Sequence, residues 1–127
     1  MEKHQGVFTE KGHKPAGPYS QATILGNLVF VSGQGAVDPA TQQLVRGTVE
    51  EETERTLKNL QIILESAGSS LEKVVKVNTF LSDMDNYQRF NAVFGKFFKE
   101  PYPARSVIQA ARLPFDIQVE IECIAYR

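Results

Sequence analysis

The segment Ile117-Gln118-Val119-Glu120-Ile121-Glu122-Cys123-Ile124-Ala125-Tyr126 alternates side chains of two kinds, which reads as a strand with two unequal faces. Ile117, Val119, Ile121, Cys123 and Ala125 make an unbroken apolar row that needs a hydrophobic layer, expected to be helical. Gln118, Glu120, Glu122, Ile124 and Tyr126 point the other way, polar at one end of the row and apolar at the other.

Upstream, Thr23–Leu25 and Leu28–Ser32 are two apolar arms joined by Gly26-Asn27, a two-residue connection suited to the positive φ of a tight hairpin. The second arm is apolar on both faces, so it is expected to be covered on both. A helix follows. Thr48 and Glu51 form a capping box, Glu50, Glu51 and Glu52 sit at the positive end of the helix dipole, and Gly68 ends the run. Val49, Thr53, Leu57, Leu60, Leu64 and Ala67 recur at helical period on one face.

Val74–Leu81 reads as a strand. A second helix is expected from about Asp85, with Gln88 at the capping position and Tyr87, Phe90, Phe94 and Phe97 as its apolar stripe; Pro101 and Pro103 stop it. Ser106–Ala110 and Ile117–Tyr126 complete the order: two or three strands, helix, strand, helix, two strands. One sheet with both helices on one face is the economical packing. The other face then has no cover within the chain, and its apolar part predicts an oligomer.

With 127 residues and 42% hydrophobic side chains, residues 1–127 fit one domain with an ordinary core. Lys plus Arg number 14 against 15 Asp plus Glu, a formal charge of −1, which argues against nucleic acid as the main ligand. The lone Cys123, the polar beginning and the lack of a long apolar run together predict a cytoplasmic chain with no membrane span.

Common motifs are missing. Gly33-Gln34-Gly35 lacks the third glycine of a dinucleotide fingerprint, and His4, His13 and Cys123 make no metal set, so neither metal nor cofactor is expected. Two charged residues stand out by position. Arg105, in Pro103-Ala104-Arg105-Ser106, can grip a carboxylate with its fork, or it is a solvated or ion-paired surface residue. Glu120 sits mid-strand on the face assigned to subunit contact, as an acid, a solvent-facing residue or half of an interfacial ion pair.

A resemblance separates these alternatives. Gly17-Pro18-Tyr19-Ser20-Gln21-Ala22, Phe30-Val31-Ser32-Gly33-Gln34, Arg89-Phe90-Asn91-Ala92-Val93-Phe94, Tyr102-Pro103-Ala104-Arg105-Ser106, Ala111-Arg112-Leu113-Pro114 and Val119-Glu120-Ile121-Glu122 resemble, in order, the RidA/YjgF family. The resemblance runs from about Gly17 to Tyr126. It implies an α+β, chorismate-mutase-like fold: a mixed six-stranded sheet, two helices on one face, and three subunits packed through the other. It further implies hydrolysis of short reactive 2-imino acids, of the 2-iminobutanoate and 2-iminopropanoate type, in clefts between subunits of a homotrimer.

In that reading Arg105 holds the substrate carboxylate, Glu120 positions or activates water, and Tyr19, Ser32, Gly33, Asn91 and Val107 line the cleft. The alternatives are a non-catalytic module that binds small carboxylates and an RNA-cleaving translation inhibitor. Val107 departs from the cysteine that many deaminase members carry after the Arg-Ser pair. Imine hydrolysis needs no sulfur nucleophile, so a main-chain role at 107 is expected, and Cys123, facing the helices, is no substitute.

Overall fold

The computed structural model describes residues 2–127. Its strands are β1 (Gln5–Val7), β2 (Ala22–Leu25), β3 (Leu28–Gln34), β4 (Val37–Asp38), β5 (Gln43–Leu44), β6 (Val74–Leu81), β7 (Ala104–Gln109) and β8 (Val119–Tyr126). Its helices are α1 (Val49–Ser66) and α2 (Tyr87–Phe97). Six strands form one mixed sheet in the order β1-β2-β3-β8-β6-β7, and β4 pairs with β5 in a separate small hairpin. The fold is α+β.

The topology follows from two crossovers. β3 and β6 both run antiparallel to β8, hence parallel to each other, and α1 connects them across the slot that β8 fills. α2 then connects β6 to its parallel neighbour β7. Both connections step the same way along the sheet. Right-handed crossovers in one direction put both helices on one face.

The local signals act as read. Leu25 pairs with Leu28 around a two-residue turn, with Gly26 at a φ of 61°. Thr48 Oγ1 accepts from Glu51 N while Glu51 Oε1 accepts from Thr48 N, closing the capping box of α1. Gly68, at a φ of 82°, follows the last turn. Val49, Leu57, Leu60, Ile63 and Leu64 of α1, with Phe90 and Phe94 of α2, pack on Val29, Val31, Val77, Val119, Ile121 and Cys123. Burial on this scale is the main term holding the layers together, since each such side chain contributes about 1.5–3 kcal/mol.

Several expectations need correction. α2 begins at Tyr87, after a 3-10 turn at Met84–Asn86 that is capped by Asp83, whose Oδ1 accepts from Asp85 N; Asn86 leads into α2 with no side-chain cap, so Asp85 and Gln88 form no capping box. β7 starts at Ala104, so Arg105 lies inside the strand, and the last strand starts at Val119. The polar N-terminal stretch supplies the edge strand β1, because pairing with β2 satisfies its backbone whatever its side chains. β3 is covered on one face only within the chain: Val29 and Val31 are buried, while Leu28 and Phe30 stay exposed with Tyr126 beside them.

Candidate active site

The β3–β8 pairing slips where the site begins. Val31 faces Cys123 and Gln34 faces Ile121, so Ser32 and Gly33 together oppose Glu122 alone. Such a bulge re-aims side chains and often borders a functional site. Here it brings the Gly33 backbone under Glu120. A Cβ on Gly33 would stand 2.6 Å from Glu120 Oε2, so glycine is what leaves room for the carboxylate.

Glu120 projects from the sheet face opposite the helices, paired with Phe80 of β6. Burial pushes its carboxyl above the usual range, and the neighbouring charge of Glu122 adds to the effect. Glu122 is itself engaged, accepting from Asn78 Nδ2 at 3.2 Å. Glu120 shares a cavity of about 90 Å³ with His13, Tyr19, Gly33, Gly35, Val37, Leu44, Pro114, Phe115 and Ile117.

The loop that carries Tyr19 is held by a buried amide. Gln21 Nε2 donates to the carbonyls of Thr9 and His13, and Gln21 Oε1 accepts from Thr9 N. Tyr19 is exposed, its hydroxyl accepting from Ala16 N at 3.1 Å. Ser32 Oγ donates to the Ser20 carbonyl at 2.6 Å, which pins the same loop to β3 and leaves the oxygen free only as an acceptor.

Arg105 is elsewhere. It pairs in register with the buried Val77 and so faces the helices. Its guanidinium lies over α2, with Cζ 4.7 Å from the ring centroid of Phe94 and 5.6 Å from that of Phe90. Nη2 donates to the Tyr87 hydroxyl at 3.0 Å. The Asn91 amide beside it, then the charge and hydrogen bond of Arg105, hold the Tyr87 phenol below its ordinary range. Asn91 Oδ1 is buried with no hydrogen-bond partner. Val107 lies on the same face of β7 as Arg105, opposite Thr79, and packs against the core.

The expected site residues therefore fall into two groups. Tyr19, Ser32, Gly33 and Glu120 meet on one side of the sheet; Asn91, Arg105 and Val107 meet on the helix side, at the outer strand β7. Within one chain the groups do not converge. Each half is chemically incomplete: one has an acid without a cation, the other a cation fork without an acid.

A family model described as Endoribonuclease L-PSP matches residues 9–127. The chain belongs to the RidA/YjgF/RutC family. A RutC family protein of Pyrococcus abyssi is 46% identical over 121 residues, 95% of each chain. Reactive Intermediate Deaminase A, chloroplastic, of Arabidopsis thaliana is 43% identical over 123 residues, covering 97% of this chain and 66% of that protein. Among solved structures, RidA from an Antarctic Psychrobacter superposes with a TM-score of 0.93 at 42% identity, over 97% of this chain and 99% of that one. Escherichia coli TdcF with bound serine superposes with a TM-score of 0.90 at 36% identity, over 97% and 98%.

This member of the RidA/YjgF/RutC family places further residues at its two half-sites. Tyr87 reads in the sequence only as part of an apolar stripe, although its spacing of four from Asn91 puts both on one helix face. Phe115 and His13 carry no local signal, since only long-range packing brings them to the cavity, and neither does Arg46, whose guanidinium donates to the Phe115 carbonyl. Cys123 is buried, and its thiol is pushed up to about 12, first by burial, so it holds no thiolate at neutral pH. Among the described residues no cluster of His, Cys, Asp and Glu is arranged to hold a metal ion, and no helix is long and apolar enough to cross a membrane.

Proposed function

We propose that the chain hydrolyses short reactive 2-imino acids to 2-keto acids and ammonia, in clefts where the Arg105 edge of one subunit meets the Glu120 cavity of the next within a homotrimer. The observation that carries this reading is the division of the site. A carboxylate clamp and an acid lie on opposite sides of the sheet, and the apolar face bearing Leu28, Phe30 and Tyr126 is exposed. A second copy covers that face and joins the halves. A close relative named as a reactive intermediate deaminase, and a structural neighbour holding serine, support a small amino-acid-like carboxylate as ligand.

Arg105 takes the substrate carboxylate with two parallel hydrogen bonds. Its aromatic bed restricts the guanidinium, so less freedom is lost on binding. The orphaned Asn91 Oδ1 has a ready partner in the imine N–H or in the neighbouring subunit, which removes the cost of a buried acceptor without a donor. Glu120, ionised, takes a proton from water as the oxygen attacks C2 of the protonated imine, giving a neutral carbinolamine. Returning that proton to nitrogen makes ammonia the leaving group; the C–N bond breaks as the hydroxyl oxygen forms the carbonyl and passes its own proton through Glu120 to solvent, releasing ammonia and the keto acid. A raised carboxyl pKa suits both steps. Positioning supplies the rest of the rate.

A cavity of about 90 Å³ and a net charge of −1 favour a small carboxylate over a polynucleotide as the ligand. The test is ammonia and keto-acid release from a threonine dehydratase reaction run with and without the protein. Faster release is expected. An unchanged rate, with a small carboxylate still binding, assigns the chain to the binding-module alternative.

A further inference from the structure

The turn that closes the Glu120 cavity adopts a backbone its residues disfavour. Phe115 and Asp116, in succession, have φ of 60° and 55°, a region that bulky L-residues enter only when the surroundings impose it. The surroundings are visible. Arg46, from the segment before α1, donates through Nη2 to the Phe115 carbonyl at 2.7 Å and through Nη1 to the Asp116 carbonyl at 3.4 Å. Arg112 closes the turn from the other side, its Nε donating to Asp116 Oδ1 at 2.8 Å. A neighbouring anchor comes from the buried Glu52, whose carboxylate accepts from Gln118 N at 3.0 Å and from Gln118 Nε2.

The outcome of this fastening is the position of one ring. The Phe115 side chain is 58% exposed, so it is not held there to fill the core. It lines the Glu120 cavity together with His13, Val37 and Leu44, and the same four residues line an adjoining open chamber of about 660 Å³. The small cavity has room for roughly three waters, enough for a reacting centre and little else. Any longer substituent on C2 must pass Phe115 into the chamber, which is in the size range of sites for small organic ligands.

The chamber's chemistry narrows the class. The Arg46 fork is directed at backbone carbonyls, and the Asp116 carboxylate is paired with Arg112. His13, partly buried, is held below its ordinary pKa and so is largely neutral at pH 7. The Gln42 amide is engaged as well, accepting from Lys14 N and donating to the Gly12 and Pro39 carbonyls, which leaves Gln43 as a polar group on the wall. Val37, Leu44 and the Phe115 ring make the apolar part of the wall, continuous with the inner cavity, and suit a flat or extended apolar group.

We propose that Phe115 is a specificity-determining residue of this site, favouring imino acids with aromatic or long apolar side chains over those with side chains of one or two carbons, and that Arg46 is the positioning residue that sets its ring. The inference rests on the hydrolytic reading above and extends its substrate range upward. Short imines fit the inner cavity alone; longer ones gain the contact with Phe115.

The experiment compares imines generated in place by an amino-acid oxidase from alanine, leucine and phenylalanine. The proteins are the unmodified one, Phe115→Ala, Phe115→Leu, Arg46→Ala and Arg46→Lys, with kcat and KM measured separately. The unmodified protein is expected to have a lower KM for the phenylalanine-derived imine than for the alanine-derived one. Phe115→Ala should reduce that preference by roughly three- to tenfold, the usual worth of an aromatic contact. Arg46→Ala should move KM in the same sense with kcat for each imine little altered, and Arg46→Lys should recover only part. Phe115→Leu keeps apolar bulk without the flat face, so it should retain the leucine preference and lose the aromatic one. A preference unchanged within twofold in both Phe115 variants overturns the inference even if imines are hydrolysed. If the unmodified protein hydrolyses none of them, the catalytic reading fails, and calorimetric binding of phenylpyruvate against pyruvate decides the matter separately. Tighter phenylpyruvate binding that Phe115→Ala abolishes supports the chamber; equal or absent binding of both overturns it.

Discussion

Mixing two inactive variants should restore activity, because the two halves of the proposed cleft come from different chains. Arg105→Ala removes the clamp and keeps Glu120; Glu120→Gln removes the acid and keeps Arg105. The two side chains face opposite sides of the sheet, Arg105 over the α2 aromatics and Glu120 over Gly33. In a trimer reassembled at random from equal amounts, a cleft needs intact Glu120 from one subunit, with a chance of one half, and intact Arg105 from the next, with a chance of one half. About a quarter of the clefts are then complete, so the mixture should reach about 25% of the unmodified rate per site. Each variant alone should stay near background. The assay is ammonia release after co-refolding differently tagged variants; mixed trimers isolated by tandem affinity, each with one complete cleft in three, should show about a third of the unmodified rate per site. Background activity in verified mixed trimers would mean that one chain supplies the whole site. Persistent monomers in sedimentation equilibrium would remove the cleft altogether.

Glu120 must be ionised to act as base, and burial raises its carboxyl pKa; the acid limb of the kcat/KM profile should therefore lie above the ordinary carboxylate range and vanish in Glu120→Gln. The same shift has a stability consequence: the unfolded chain ionises first as pH rises, so the group disfavours the fold above its raised pKa. Glu120→Gln should accordingly show a higher Tm than the unmodified protein at pH 7 and little advantage near pH 3; the reverse order would contradict burial as the cause. Gly33→Ala should displace Glu120 and lose most turnover while unfolding near the unmodified Tm, since only the far end of one side chain has to move; full activity would show that the Glu120 position is not critical. Val107→Cys should change rates only slightly and cost less than about 1.5 kcal/mol in denaturant unfolding, because residue 107 packs against the core; a gain of several orders of magnitude would assign the chemistry to a thiol.

What was legible in the sequence is what short-range physics decides. The Thr48–Glu51 box, the Gly26-Asn27 turn and the alternation of Val119–Tyr126 each concern residues within a few positions, and α1, the hairpin and the two faces of β8 follow. The helix-side row Ile117, Val119, Ile121, Cys123 and Ala125 is buried throughout. The start of the second helix is not legible because Asp85 and Gln88 have the spacing of a capping box, whereas Asp85 lies in a 3-10 turn capped by Asp83 and the chain enters α2 at Tyr87 without a side-chain cap. Which face Arg105 takes was hidden for another reason. It depends on the register of β7 against β6, where Arg105 pairs with Val77, and no local pattern encodes a parallel register. The resemblance to the RidA/YjgF family named the site residues but not their division between two sides of the sheet.

The fastening of the Phe115 turn bears on the order in which the molecule assembles. The contacts that hold it join residues 69 and 70 positions apart at Arg46, and 66 and 71 positions apart at Gln118. The Arg105–Tyr87 contact spans 18, within a single strand–helix–strand unit. Closing the longer loops costs about 1 kcal/mol more in chain entropy, before any contact compensates. The Arg105 half-site is therefore expected to form early and the Glu120 half-site late, after β8 has inserted between β3 and β6. Substitutions at Arg46 or Phe115 should then act mainly on the unfolding rate, leaving the refolding limb of the kinetics nearly in place.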